Sequence, residues 1–193
     1  MAGSPERLQG KTTEQPRRIV GIDPGTVTTG WGVIEAVGGS IHHLAHGTIS
    51  VSNGRGQGAR LSGIYRGLRD VIGDYQPAGV SLERVFFAHN AQSALKLGQA
   101  RGVALLAAAE CNVVAHEYAS TEIKMAVVGY GQATKEQVQK MVALLLRVSE
   151  EIAADAADAL AAAICHLHRC TFQSRLRGVI QQDAAKLRRR VSS

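Results

Sequence analysis

Aromatic side chains are scarce in this chain. Phe, Trp and Tyr together make up 4% of its residues, so each one that stands exposed requires an explanation. Cysteine is scarcer still. The three present are an odd number with no Cys-x-x-Cys pair, which argues against a disulfide framework and for reduced thiols in a reducing compartment. No uninterrupted apolar run suits a membrane span, and no apolar h-region opens the chain. Neither a membrane partner nor a secretory signal is therefore expected, and the expected location is cytoplasmic. Aspartate is sparse as well: there are six, and two of them stand three apart, at 155 and 158.

What is present suits a single globular domain. The chain has 193 residues, 45% hydrophobic and 20% charged, enough to bury a substantial core. Its formal net charge of +6 favours a polyanionic partner, a weak argument taken alone. The stretch Arg18-Arg-Ile-Val-Gly-Ile-Asp-Pro-Gly-Thr26 organises the rest. A β-branched apolar run delivers one carboxylate, Asp23, into a turn, because Pro24 fixes its own φ and Gly25 tolerates unusual ones. An acid held there suits a metal ion or a phosphate, or it merely caps the turn. This stretch alone does not separate the two.

In order, residues 1–16 are polar and aperiodic and read as a disordered extension. Strands are expected through Asp23, over Thr28 to about Ala36, and over Ile41 to Val51, as an antiparallel meander turning at Gly38-Gly39. His42, His43 and His46 lie along the third strand and read as solvated positions. Ser52 to Gly58 reads as a flexible loop, and Leu61 to about Tyr75 has helical spacing. Ala78 to Glu83 is a short buried strand reached by a crossover, so it should lie parallel to the first and, like it, end in an acid. A long helix follows from Asn90 or Ala91 to Glu110, and its Gly98 and Gly102 mark close approach of the sheet or of a second subunit. Cys111 to Ala115 reads as a fifth strand. Helices are expected over 120–128, 134 to about 148, and 152 to about 170, with a basic flexible tail at 171–193. The domain then spans 17–170: a mixed five-stranded α/β sheet with helices on both faces.

Asp155 and Asp158 share one helix face, about 5–6 Å apart at Cβ. The helix dipole accounts for Asp155 in a first turn. It accounts less well for Asp158, a turn further in and followed by apolar residues. Asp23 and Glu83 end strands that should be neighbours, and a helix laid across that edge would bring all four acids together. Such a hard-oxygen set binds two Mg²⁺ or Mn²⁺ ions, the equipment of phosphodiester hydrolysis. Cys165-His-Leu-His-Arg-Cys170 does not make a zinc site, because Cys165 and His168 share one helix face while His166 and Cys170 share another. Glu117 reads as a helix cap or, less readily, as a fifth acid near the site.

Five blocks of sequence resemble the RuvC Holliday-junction resolvases. They are Gly-Ile-Asp-Pro-Gly-Thr at 21–26, Leu-Glu-Arg-Val-Phe-Phe at 82–87, the block from Asn90 to Gly102, the block from Val127 to Val138, and Asp-Ala-Ala-Asp-Ala-Leu-Ala at 155–161. The blocks at 90–102 and 127–138 are the specific ones. The resemblance implies a ribonuclease-H-like fold and a homodimer that nicks two opposed strands of a four-way DNA junction, leaving ligatable ends. It implies Asp23, Glu83, Asp155 and Asp158 as metal-binding acids, and Lys124 and Lys135 as lysines near the scissile phosphate. Phe86 and Phe87 follow the acid on a strand end and face opposite ways, so one is expected in the core and the other, Phe86 by the resemblance, stacks on a junction base. RuvA and RuvB are the branch-migration partners it leads one to expect. Arg84, Lys96 and Arg101 are candidate phosphate contacts, with a plain solvated face as the competing reading for each. Two other functions compete. A sugar-kinase or actin-type ATPase shares Gly-x-Asp-x-Gly-Thr but needs a second, duplicated domain that this length does not hold. A non-catalytic DNA-binding module would be favoured by loss of any of the four acids, and all four are present.

Overall fold

A computed structural model of the chain describes residues 17–25, 27–51, 56–84 and 91–191, with the backbone alone at 182, 183 and 185–191. The expected extension at 1–16, as well as Phe86 and Phe87, lie outside the described residues. Five strands and five helices follow in the order β1 (Arg17–Asp23), β2 (Thr28–Val37), β3 (Ser40–Ser50), α1 (Gln57–Tyr75), β4 (Gly79–Arg84), α2 (Ala91–Glu110), β5 (Ala115–Ala119), α3 (Ser120–Val128), α4 (Lys135–Leu146) and α5 (Ala154–Val191). They build one sheet of order β3-β2-β1-β4-β5. The first three strands are antiparallel, whereas β4 joins β1 and β5 joins β4 in parallel. The expected meander is present, and it turns at Gly38 and Gly39, whose φ values of 57° and 85° are open to glycine at little cost.

Strand alternation sorts the core into two layers. Ile19 and Ile34 face one side, where α3, α4 and α5 pack through residues such as Val127, Val142 and Leu160. Val20, Ile22, Val33, Val80 and Leu82 face the other, against Ile64, Leu68 and Ile72 of α1 and the small residues Ala100, Ala104, Ala107 and Ala108 of α2. Both faces of the sheet are thus covered, as expected of a strand pattern this apolar.

Three boundaries differ from the sequence reading. Helix α1 starts at Gln57, inside the stretch read as loop. The fifth strand is Ala115–Ala119, not Cys111–Ala115, because α2 ends through Asn112 in the left-handed conformation (φ 58°) and the chain needs Val113 and Val114 to reach the sheet. Helix α5 does not end near Cys170: it runs to Val191, and the expected basic tail is helical over most of its length. At 1.5 Å per residue, its 38 residues span about 57 Å.

Two local arrangements of histidines stand out among the described residues. On β3, His43 Nε2 and His46 Nδ1 are 2.9 Å apart. On α5, the buried His166 ring stacks on His116 at a centroid distance of 4.2 Å, and its Nδ1 lies 2.7 Å from the Tyr118 hydroxyl. His166 also meets Cys170 Sγ at 3.5 Å, while His168 turns away to the Ala126 carbonyl.

A four-carboxylate candidate active site

The site forms where the parallel pair β1–β4 ends. Register pairs Ile22 with Leu82, so the next residues, Asp23 and Glu83, stand side by side at the carboxyl ends of their strands. Alternation then decides their direction. Ile22 and Leu82 enter the α1–α2 layer, so Asp23 and Glu83 point to the opposite face, toward α5.

Helix α5 comes close to that face because the strands beneath it carry glycine at the points of contact. A Cβ added to Gly21 would overlap the Ala159 carbonyl, and one added to Gly30 would overlap the Asp155 carbonyl and lie 2.8 Å from the Ala156 nitrogen. At Gly32 a Cβ would lie 2.5 Å from two side-chain carbons of Leu160. Ser81 adds a directional tie: its hydroxyl donates to the Ala162 carbonyl at 2.7 Å. Glycines on β1 and β2 together with a serine on β4 therefore set the height and register of α5. That placement carries Asp155, in the first turn, and Asp158, one turn on, toward the two strand-end acids.

The electrostatics register the crowding. Burial, followed by the charges of Asp158, Glu83 and Asp155, pushes the Asp23 carboxyl from its ordinary 3.8 up to about 7, against a smaller opposing pull from Lys135. Burial also raises Glu83, opposed by a hydrogen bond from Ser120 and by Lys124 and Lys135. A close countercharge is Lys135, whose Nζ lies 2.7 Å from Asp158 Oδ2. That bond holds the ammonium above its usual range. A pocket of about 230 Å³ opens here, lined among others by Glu83, Ser120, Lys124, Lys135 and Asp158. A larger cavity of about 410 Å³ between β3 and the end of α4 has no carboxylate in its lining.

Hard divalent cations suit this donor set: four carboxylate-bearing residues, one already pushed toward its neutral form by burial and then by its neighbours. Among the described residues, no three His, Cys, Asp or Glu side chains close around a common point. The acids are gathered rather than clenched, and a lysine ammonium occupies one of them.

The other candidates scatter. Lys124 and Lys135 border the pocket, on α3 and at the start of α4. Lys96 is exposed on α2, which packs on the far face of the sheet. Arg101, also on α2, forms an ion pair with Glu117. Glu117 therefore points away from the four acids, neither a fifth acid nor a cap; the cap of α3 is Glu122, which accepts from the Ala119 amide at 2.9 Å. Arg84 donates to the Glu117 carbonyl at 3.3 Å. Ser120 was not singled out from the sequence. It precedes Lys124 by one helical turn at the start of a helix following a strand, which is the signal that could have found it.

A family model described as crossover junction endodeoxyribonuclease RuvC matches residues 19–166. The chain belongs to the RuvC family. It is similar to the RuvC of Geobacter sulfurreducens, with 49% identity over 84% of this chain and 99% of that one. With the RuvC of Syntrophotalea carbinolica it shares 53% identity over 78% of this chain and 94% of that one. The fold is similar to that of Thermus thermophilus RuvC solved in complex with a Holliday junction substrate, with a TM-score of 0.77, 31% identity, and coverage of 81% of this chain and 96% of that chain. The four acids, Ser120 and both lysines lie inside the span matched by the RuvC model, whereas most of the exposed half of α5 lies beyond it.

Proposed function

We propose that this chain is a structure-selective DNA endonuclease that resolves four-way (Holliday) junctions in recombination and repair. It hydrolyses phosphodiester bonds on two opposed strands and leaves ligatable nicks. The single observation that carries the reading is the convergence of Asp23, Glu83, Asp155 and Asp158 on one sheet edge, with Lys135 as their countercharge. Family membership supports the substrate and the need for a metal ion.

The four acids would hold Mg²⁺, with Mn²⁺ as a plausible replacement, as two ions per site. When bound, these supply an activated water and charge stabilisation at the leaving oxygen. The protein's own groups do the rest. Burial of Asp23 beside three other carboxylates sharpens the cluster's demand for cations. Ser120 orients Glu83 by donating to its carboxylate. Lys135 and Lys124, which line the same pocket, would stabilise the developing charge on the scissile phosphate. Phe86 stacks on a junction base in this reading, and Arg84, Lys96 and Arg101 remain candidate phosphate contacts.

A homodimer suits a substrate with two equivalent strands, since an isologous interface sets two identical sites in two-fold relation. Gly98 and Gly102 are exposed on α2, and a Cβ at either would meet nothing within 4 Å among the described residues. Of the two close approaches expected for them, the sheet is therefore ruled out and the second subunit is the one we propose. The same reading places the protein in the cytoplasm with RuvA and RuvB as partners; no helix among the described residues is long and apolar enough to cross a membrane.

The test is cleavage of a labelled synthetic four-way junction with Mg²⁺ or Mn²⁺, beside linear duplex and an Asp158→Asn variant. Paired nicks on the junction alone, with a variant that binds but does not cut, are expected. A variant that cuts as well as the parent would remove the four acids from the mechanism, and a parent that binds yet never cuts would make this a non-catalytic junction-binding module.

A further inference from the structure

Among the described aromatic residues, two are exposed: Phe172, 14 residues along α5 from Asp158, and Tyr130. Tyr65 and Tyr75 pack against the α1–α2 core, and Tyr118 is buried against His166. Tyr130 is 44% exposed even though its loop is braced at both ends. Gly129, at φ 91°, ends α3 by donating its amide to the Met125 carbonyl at 3.1 Å. Ala133 is buried in the core at 1% exposure, and Thr134 opens α4 through a reciprocal cap with Gln137. A loop held this firmly, carrying its ring in water, is preorganised to meet something flat.

Its place says what. The loop folds back along α3, so that a Cβ at Gly131 would lie 3.8 Å from Thr121 and 4.0 Å from Met125. On that helix Ser120 and Lys124 form the stripe lining the acidic pocket, while Thr121 and Met125 form the next stripe round, both exposed. Lys135, bonded to Asp158, stands at the other end of the same loop. The acidic pocket with Lys124 and Lys135 at its edge is thus followed round α3 by exposed Met125 and the loop that carries exposed Tyr130, charged where a phosphate would lie and apolar beyond it.

We propose that Tyr130 is a stacking platform for a base of the cleaved strand close to the scissile phosphate. It is a DNA-contacting residue that sets the strand's position on the four acids. Every base offers a π-face, so the contact tolerates any sequence while favouring unpaired or splayed nucleotides such as those at a junction centre. The inference rests on the nuclease reading above.

The test is an affinity measurement with the full chain in EDTA, so that no cleavage occurs. Junctions carrying a single abasic site at each position flanking the cut are titrated against the parent, Tyr130→Ala, Tyr130→Leu and Tyr130→Phe. Stacking of this kind is worth roughly 5- to 150-fold in affinity. The expected result is a loss of that size for Tyr130→Ala and Tyr130→Leu, with Tyr130→Phe within about twofold of the parent. One abasic position should weaken the parent equally and leave Tyr130→Ala unaffected. Equal binding by all four proteins, or losses that ignore where the abasic site lies, would overturn the proposal. A parent that does not distinguish junction from linear duplex would instead count against the nuclease reading, which the abasic series leaves separately visible.

Discussion

Substituting Gly30 by alanine tests how the site is built. Gly30 pairs with Asp23 across β1–β2, and the helix bearing Asp155 lies directly over it. The added methyl would overlap the Asp155 carbonyl and stand 2.8 Å from the Ala156 nitrogen, so the first turn of α5 must retreat by about 1 Å or more to restore ordinary contact. Overpacking of this kind costs about 1–3 kcal/mol. For a chain of this size that lowers the melting temperature by about 2–12 °C, at 2–4 °C per kcal/mol. The larger effect falls on cleavage, because a displacement near 1 Å in a catalytic constellation can cost about 10²-fold. Junction cleavage at saturating protein, read beside thermal unfolding, separates the two. Gly73→Ala is the control: it lies inside α1 with nothing within 4 Å of a new Cβ, and should stabilise by roughly 0.5–1 kcal/mol with unchanged cleavage. Gly30→Ala cutting at the parental rate would refute the idea that bare strand glycines set the position of the acids.

Other outcomes follow from the same geometry. Lys135→Ala should bind junctions but cut them about 10²-fold more slowly, checked by single-turnover cleavage. In EDTA, Asp23 and His166 should oppose one another in the pH dependence of stability. Asp23, raised to about 7, holds a proton that the unfolded chain releases near 4, so its contribution is lost as pH rises from 4 to 7. His166, which burial lowers to about 4, refuses a proton that the unfolded chain binds near 6.5, so its contribution is lost as pH falls from 6.5 to 4. Asp23→Asn should therefore lose stability more steeply than the parent as pH falls from 6.5 to 4, measured by denaturant unfolding. Asp23→Asn should also raise the melting temperature of the metal-free protein at pH 8, while Mg²⁺ or Mn²⁺ should stabilise the parent more than the variant. Gly102→Ala should leave monomer stability unharmed or improved yet weaken self-association in sedimentation, if α2 is the dimer face.

Much of the architecture could be read along the chain because its signals are local. The apolar run to Asp23, the paired glycines at 38–39 and the helical spacing after Leu61 each depend on residues within a few positions of one another. The five blocks, with those at 90–102 and 127–138 the specific ones, likewise carried the family resemblance without any coordinates. The misreadings arose where distant partners decide. Cys111 to Ala115 looks like a strand until Asn112 turns left-handed and the real strand proves to be the next five residues, paired with β4. Glu117 looks available to the site until that shifted register turns it to Arg101 on the opposite face. Ser120 offers only its place one turn before Lys124 as a signal in sequence, and its hydroxyl finds Glu83 because β5 and β4 end together. The amino-acid order determined which carboxylates exist and which element ends they occupy, since propensity and alternation act within single elements. Only the tertiary structure decided that the four would crowd one another. That crowding depends on how closely α5 can approach the sheet, and the missing side chains of Gly21 and Gly30, residues far from it in the chain, set that distance.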